Sequence, residues 1–370
     1  MVLEDTVFKL MPEWQASNAV LLAWPFKDSD WRDTFDDVEA CYWGILGKLL
    51  SRCHVLVLLH PMSSKSDWLR KAKERADRGS RQINVIDLDD MTASQRSRWY
   101  EQRGTATVSV DCALTASMLY DDTWIRDYGP LSGKNSNGSS VWIDFRFNGW
   151  GGKYPAIHDD QLTIKLANFL GQSCIQKKRV LEGGAIDLDG NGQLLVNRDC
   201  INTMSRGWTR SWDQSEKWLK NNLHCTTIES IEDIGLSNDD TDGHIDTMLR
   251  FLPGNYMAVS GRNAAHHDAP RLESLWQQAT IIAKKLGYHL IELPTPIVLS
   301  MQDERPLPAT YANFLCVQDT IFLPYYQVEE DAVAQETLLK ALPKFSIKGI
   351  DSLALVEQHG SLHCATMNIA

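Results

Sequence analysis

Short runs of apolar, often β-branched residues recur along the 370-residue chain at Val55 to Leu59, Ile83 to Leu88, Gln193 to Asn197 and Thr320 to Pro324. Runs of this length bounded by polar or turn-forming residues predict strands. Between them, apolar positions fall at helical spacing over Asp36 to Ser51, Ala269 to Leu286 and Glu329 to Leu342, and Pro270 stands where a first helical turn tolerates it. Strands alternating with helices predict an α/β or α+β class. The segment Asp187 to Gly192 lies between two strand-like runs, and its Gly and Asn residues suit a tight hairpin turn. Hairpins mixed with helices argue against a purely parallel sheet.

Length alone allows two or three domains, but no linker divides the chain. The polar stretches at Lys134 to Ser140 and Arg70 to Arg81 read as solvated loops or helix faces, so residues 1–370 are expected to form a single domain. The 37 basic and 48 acidic residues leave a net charge of −11, which disfavours nucleic-acid and anionic-membrane surfaces and suits a small cationic ligand. Eight cysteines are scattered without a CxxC pair, so neither a zinc knuckle nor a disulfide framework is expected. Residues Met1 to Thr6 carry acids where a secretory signal carries basic residues, and no apolar stretch reaches the ~18 residues of a membrane span. The expectation is a soluble, cytoplasmic protein, with a homo-oligomer left open.

The candidate chemistry is spread over the chain. Asp242, His244 and Asp246 are spaced i, i+2, i+4, which on a strand places them on one face. Gly243 marks a turn, so the strand is expected to start near His244, with Asp242 a loop residue reaching inward. Flanking carboxylates raise a histidine pKa toward acid/base work, although a hydrogen-bonded structural histidine is the plainer reading. The segments Asn238 to Gly243 and Asp187 to Gly192 imitate the start of a calcium loop. Both lack the glutamate at the twelfth position, where Leu249 and Arg198 stand, and no metal is expected. Asp127, in Trp124-Ile125-Arg126-Asp127-Tyr128-Gly129-Pro130, is a candidate ligand or simply a partner for Arg126. Glu182-Gly183-Gly184 is a turn or a place where backbone packs tightly beneath a substrate.

Cys364 lies six residues before the last one. With the carboxylates and His244 it describes a site for a planar cation: a guanidinium donates bidentately to paired carboxylates and leaves its central carbon open to a thiol. His363, adjacent to Cys364, would point to the opposite face of a strand, so His244 is the better base. From Asp127 to Glu182, His244, Asn313 and Cys364 the steps are 55, 62, 69 and 51 residues. A period near 50 to 70 fits a propeller-like ring in which each module sends one loop to a central site.

The ordered set Met11 to Trp14, Trp24-Pro25, Trp124 to Pro130, Phe147-Asn148-Gly149-Trp150-Gly151-Gly152, Glu182 to Gly184, Asp240 to Asp246 and Leu362-His363-Cys364 spans nearly the whole chain. It resembles the agmatine deiminase branch of the peptidylarginine-deiminase-like guanidine-modifying enzymes. The resemblance implies a fivefold pseudosymmetric α/β propeller (pentein) of ββαβ modules, and no metal or organic cofactor. It implies Cys364 as nucleophile, His244 as general acid/base, Asp127 and Asp246 gripping the guanidinium, and Glu182 orienting His244 or the substrate. In that chemistry the thiolate displaces ammonia, and water then releases a ureido product from a covalent thiouronium.

The family usually carries several glycines and an Asn before the histidine-cysteine pair, where this chain has Gly360 and Ser361, which puts the substrate tail in question. A tail pocket is expected from Trp24, Asp30, Trp31, Trp124 and Trp150, with Gly151 and Asp242 beside it, because aromatic faces and acids suit a primary ammonium. Agmatine is the expected substrate, in putrescine synthesis. The alternatives are a deiminase of free or peptidyl arginine and a guanidine-binding protein without catalysis.

Overall fold

The computed structural model describes residues 7–16, 19–78, 84–102, 112–208 and 211–370. Met1 to Thr6 and the start of the predicted Ile83 to Leu88 strand lie outside the described residues. The predicted elements appear at Phe35–Leu49, Ala269–Leu286 and Glu330–Ala341 as helices, and at His54–Leu59, Asn84–Asp87, Gln193–Asn197 and Thr320–Tyr325 as strands.

One supersecondary pattern repeats five times: an antiparallel strand pair, a helix, then a third strand parallel to the second. It runs through Leu131–Asn135, Ser140–Arg146, Asp159–Leu170 and Cys174–Val180, and next through Ile186–Leu188, Gln193–Asn197, Trp212–Leu223 and Thr227–Ile231. It continues through Leu249–Leu252, Tyr256–Ser260, Ala269–Leu286 and His289–Leu293, then Leu315–Val317, Thr320–Tyr325, Glu330–Ala341 and Ser346–Asp351. In the remaining unit the opening strand is the C-terminal Met367–Ile369, antiparallel to Ala19–Ala23, which is followed by the helix Phe35–Leu49 and the parallel strand His54–Leu59. Among the described residues the strands form six separate sheets rather than one closed sheet.

Local chemistry accounts for the elements. The strand His54–Leu59 is buried at every position and flanked by parallel neighbours on both sides, the environment that selects an unbroken apolar run. The helix Ala269–Leu286 begins with proline in its first turn and ends on Gly287 in the left-handed conformation. In the hairpin at Asp187 to Gly192, Asp189 Oδ1 accepts from the backbone N–H of Asn191 (2.7 Å) and Gln193 (2.9 Å), closing the turn. No helix among the described residues is long and apolar enough to cross a membrane.

Candidate active site

Each of the five rhythmic positions lies between two and five residues before the first strand of a unit: Asp127, Glu182, His244, Asn313 and Cys364 precede Leu131–Asn135, Ile186–Leu188, Leu249–Leu252, Leu315–Val317 and Met367–Ile369. The loops entering the five units therefore supply the polar groups.

Gly184 marks where three of these loops meet. A Cβ there would stand 2.7 Å from His244 Nδ1, 2.8 Å from Asp127 Oδ1 and 3.0 Å from Asp246 Oδ2, contacts no side chain tolerates. At Gly183 a Cβ would run into the carbonyl oxygen of Arg126. The glutamate-glycine-glycine motif is thus a requirement for close approach. Asp127 Oδ1 accepts from the Gly184 N–H (2.9 Å), and its Oδ2 accepts from Trp150 Nε1 (2.9 Å). His244 Nδ1 is 3.5 Å from Asp127 Oδ1. Trp150 adopts φ 53°, ψ 48°, a strained conformation for an aromatic residue, and next to it Gly151 (φ 87°) has no room for a Cβ, which would stand 2.6 Å from Ser205 Oγ. Gly151 shapes this turn and does not line the pocket.

Cys364 sits in a turn that precedes the last strand, not on the strand itself. The turn is held by Ala365 N–H to Ser361 O (3.2 Å) and Thr366 N–H to His363 O (3.1 Å). Asn313 Oδ1 accepts from His363 N–H (2.9 Å) and lies 3.5 Å from Cys364 Sγ. His363 points away from the thiol: its Nδ1 is 2.6 Å from Asp246 Oδ2 and its Nε2 3.3 Å from Glu13. The strand expected to start near His244 is not there either; it begins at Leu249. Asp242 and Gly243 have positive φ (65° and 90°), and a 3-10 turn at Ile245–Thr247 follows His244. This kink turns His244 and Asp246 inward and Asp242 out toward Lys153 (2.6 Å) and Arg206 (2.7 Å).

A cavity of about 120 Å³ opens above the thiol, lined by Asp30, Trp31, Asp122, Trp124, Asp127, Trp150, Tyr154, Asp239, Asp240, Thr241, Thr247, Gln358, His359, Gly360 and Cys364. Among the expected tail residues, Asp30, Trp31, Trp124 and Trp150 are there. Trp24 is not: it is core, packed edge-on against Tyr42, Trp43 and Trp68, because it continues the buried strand Ala19–Ala23. No lysine or arginine lines the cavity among the described residues.

The charges are arranged around this cavity. Burial, with Asp246 and Asp127 adding to it, pushes the Cys364 thiol well above its ordinary pKa, so it is protonated at neutral pH. Burial opposes charge on His244, but Asp127, with help from Cys200 and Glu182, outweighs it and holds the imidazole as imidazolium. Burial raises Asp127 as well, and it raises Asp122, with Asp30 adding to it, to about 7. Carboxylates crowded with a neutral thiol and no arginine or lysine on the cavity side favour a cationic ligand.

Several contributors were not assigned from sequence. Buried Arg206 donates to Glu182 Oε1 (2.7 Å) and to Thr241 O (2.9 Å), tying Glu182 into an ion pair below the site. Asn313 was visible only as a step in the spacing. Tyr154 and Asp240 meet at the rim, the hydroxyl donating to Asp240 Oδ2 (2.8 Å). Within the calcium-loop look-alikes, Asp242 pairs with Lys153 and Arg206, Asp187 pairs with Arg250 (3.2 Å), and the neighbouring Asp239 caps the N–H groups of Thr241 and Gly243.

Residues 9–369 match the model of the Porphyromonas-type peptidyl-arginine deiminase family. A protein of Vibrio parahaemolyticus, provisionally named an agmatine deiminase, is 30% identical over 68% of this chain and 76% of its own length. One from Shewanella sp. (strain W3-18-1) with the same provisional name is 24% identical over 98% of this chain and 94% of its own. The structure is similar to that of a cysteine-to-serine variant of C. jejuni agmatine deiminase with substrate bound: TM-score 0.80, 26% identity, 100% of this chain and 98% of that one.

Proposed function

From the premise that this chain belongs to the Porphyromonas-type peptidyl-arginine deiminase family and is a hydrolase acting on a guanidinium, we propose that it deiminates agmatine to N-carbamoylputrescine and ammonia, as a step toward putrescine. The observation that carries this reading is the cavity wall. Asp30, Asp122, Asp239 and Asp240 line it above Cys364 and Asp127 with no lysine or arginine among the described residues, which suits a tail ending in ammonium and disfavours the α-carboxylate of free arginine.

In the proposed mechanism Asp127 and Asp246 hold the guanidinium. The cation lowers the Cys364 pKa on binding, and the thiol proton is released to solvent as the complex forms. The thiolate attacks the guanidinium carbon, His244 protonates one amino nitrogen, and the C–N bond breaks to release ammonia. His244, now neutral, takes a proton from water as its oxygen attacks the thiouronium carbon. Collapse breaks the C–S bond and leaves the ureido product and the thiol. Glu182, bound to Arg206, positions the loop beneath His244. Residues 1–370 act in this reading as one catalytic domain, with the five repeated units set as a fivefold propeller about the site. No cofactor takes part.

The test is ammonia release from agmatine, free arginine and an arginine-containing peptide, with Cys364→Ser alongside. The expected result is turnover of agmatine at a kcat/KM at least about a hundredfold above the others, as buried polar mismatch produces, and none with the serine variant. Preference for the peptide would overturn the substrate. Full turnover by Cys364→Ser would overturn the covalent route.

A further inference from the structure

Two segments meet across the mouth of the cavity through one side chain. His359 Nδ1 is 2.7 Å from the carbonyl oxygen of Asn238. A carbonyl only accepts, so Nδ1 carries the hydrogen and, in the neutral ring, Nε2 presents a lone pair. That Nε2 lies 3.9 Å from Asp240 Oδ2, which already accepts from the Tyr154 hydroxyl (2.8 Å). His359, Asp240 and Tyr154 all line the cavity that holds Cys364. The placement is costly to the backbone, since His359 and Asn238 both lie in the left-handed region, at φ 66° and 64°. Beside them Gln358 Nε2 donates to the carbonyl of Asp30 (3.2 Å), anchoring the segment to another rim loop.

Two acceptors 3.9 Å apart can both accept from one nitrogen that sits to the side of the line joining them, about 2.9 Å from each. We propose that His359 is a specificity-determining residue: its Nε2, together with Asp240 Oδ2, receives the terminal ammonium of the substrate, and its ring closes the mouth against tails whose nitrogen is acylated. This rests on the function proposed above. A primary ammonium has three hydrogens to give, enough for both acceptors. An amide nitrogen carries one, too few for both acceptors, and brings a carbonyl that neither His359 Nε2 nor Asp240 Oδ2 can serve.

The test compares agmatine with N-acetylagmatine in the wild type, His359→Gly, Asp240→Asn and the double variant. Glycine is at ease at φ 66°, so His359→Gly is expected to fold. Loss of a hydrogen bond to a charged group predicts a kcat/KM for agmatine lower by about tenfold or more in His359→Gly, mostly through KM. The ratio of the acetylated to the free substrate should rise by at least about tenfold as the mouth opens. Because both acceptors share one ammonium, the double variant should lose less than the product of the single losses. An unchanged ratio in His359→Gly, or single losses that simply multiply, would overturn the assignment. Failure of the wild type to release ammonia from agmatine would instead overturn the proposed function.

Discussion

Cys364 and His244 lie in one buried site but are driven in opposite ways. Burial and two carboxylates keep the thiol neutral, whereas Asp127 keeps the imidazole charged. The Cys364 thiol is therefore protonated in the free protein, and a cation bound beside it would favour the thiolate. Alkylation by neutral iodoacetamide is expected to be slow at pH 7 and to climb with pH without levelling off near neutrality, because the raised pKa moves thiolate formation into the alkaline range. A cationic haloacetamidine should react faster at pH 7, since it brings the charge that stabilises the thiolate. Rates that plateau below pH 7 with the neutral reagent would contradict this state of the thiol. In the sequence, the residues of this arrangement were legible but not their contacts. A turn at Gly243 and the choice of His244 over His363 were legible too, but not that His363 contacts Asp246 and Glu13 while His244 approaches Asp127, since those partners come from other loops.

The elements that matter most are short. The 3-10 turn Gly183–Ala185 carries no catalytic side chain, yet its backbone fills the space among His244, Asp127 and Asp246. Gly184→Ala would push these groups apart by a few tenths of an ångström or more. Activity is expected to fall about a hundredfold, as for small displacements of catalytic groups. The thermal midpoint should move by only a few degrees, because the turn itself has no positive φ to lose. Equal activity of the two proteins would show that the close approach is not needed. Four strands and three helices were plain in the sequence because their apolar runs and helical spacing are local signals, whereas the seven-residue strands Ser140–Arg146 and Cys174–Val180 carry charged positions that break the run. The loops that deliver the site were not, because each is defined by what it meets from another unit.

Across the whole molecule, the strand at the C-terminal end completes the unit begun near the N-terminal end, and a buried ionic cluster joins the same parts. Glu13 pairs with Arg250, with Arg126 (3.5 Å) and with His363 (3.3 Å), while Arg126 donates to Asn368 Oδ1 (3.0 Å). Burial raises the Glu13 pKa, but His363, Arg250 and Arg126 together overcome it and bring it from 4.5 to about 2. A depressed carboxylate contributes stability that is present above its unfolded pKa and lost as pH falls toward the folded one. Linkage puts the contribution at about 3 kcal/mol, fading between pH ~5 and ~2. Glu13→Gln should lower the melting temperature at pH 7 by several degrees, through two buried arginines left short of charge. The deficit should narrow as the pH approaches 3. A gap independent of pH would assign the effect to packing instead.

Hydrophobic periodicity and the ordered motifs determined by themselves four of the strands, three of the helices, the repeating rhythm and the residue types of a candidate guanidinium site. These depend on neighbours a few positions away, or on which side chains the chemistry needs. Only the tertiary structure decided that Trp24 is core while Trp31 and Trp124 face the cavity, that Asp242 pairs with Lys153 and Arg206, and that Arg206 neutralises buried Glu182. Those outcomes turn on burial and on charge partners brought together from loops tens to hundreds of residues apart, and distance along a chain carries no information about either.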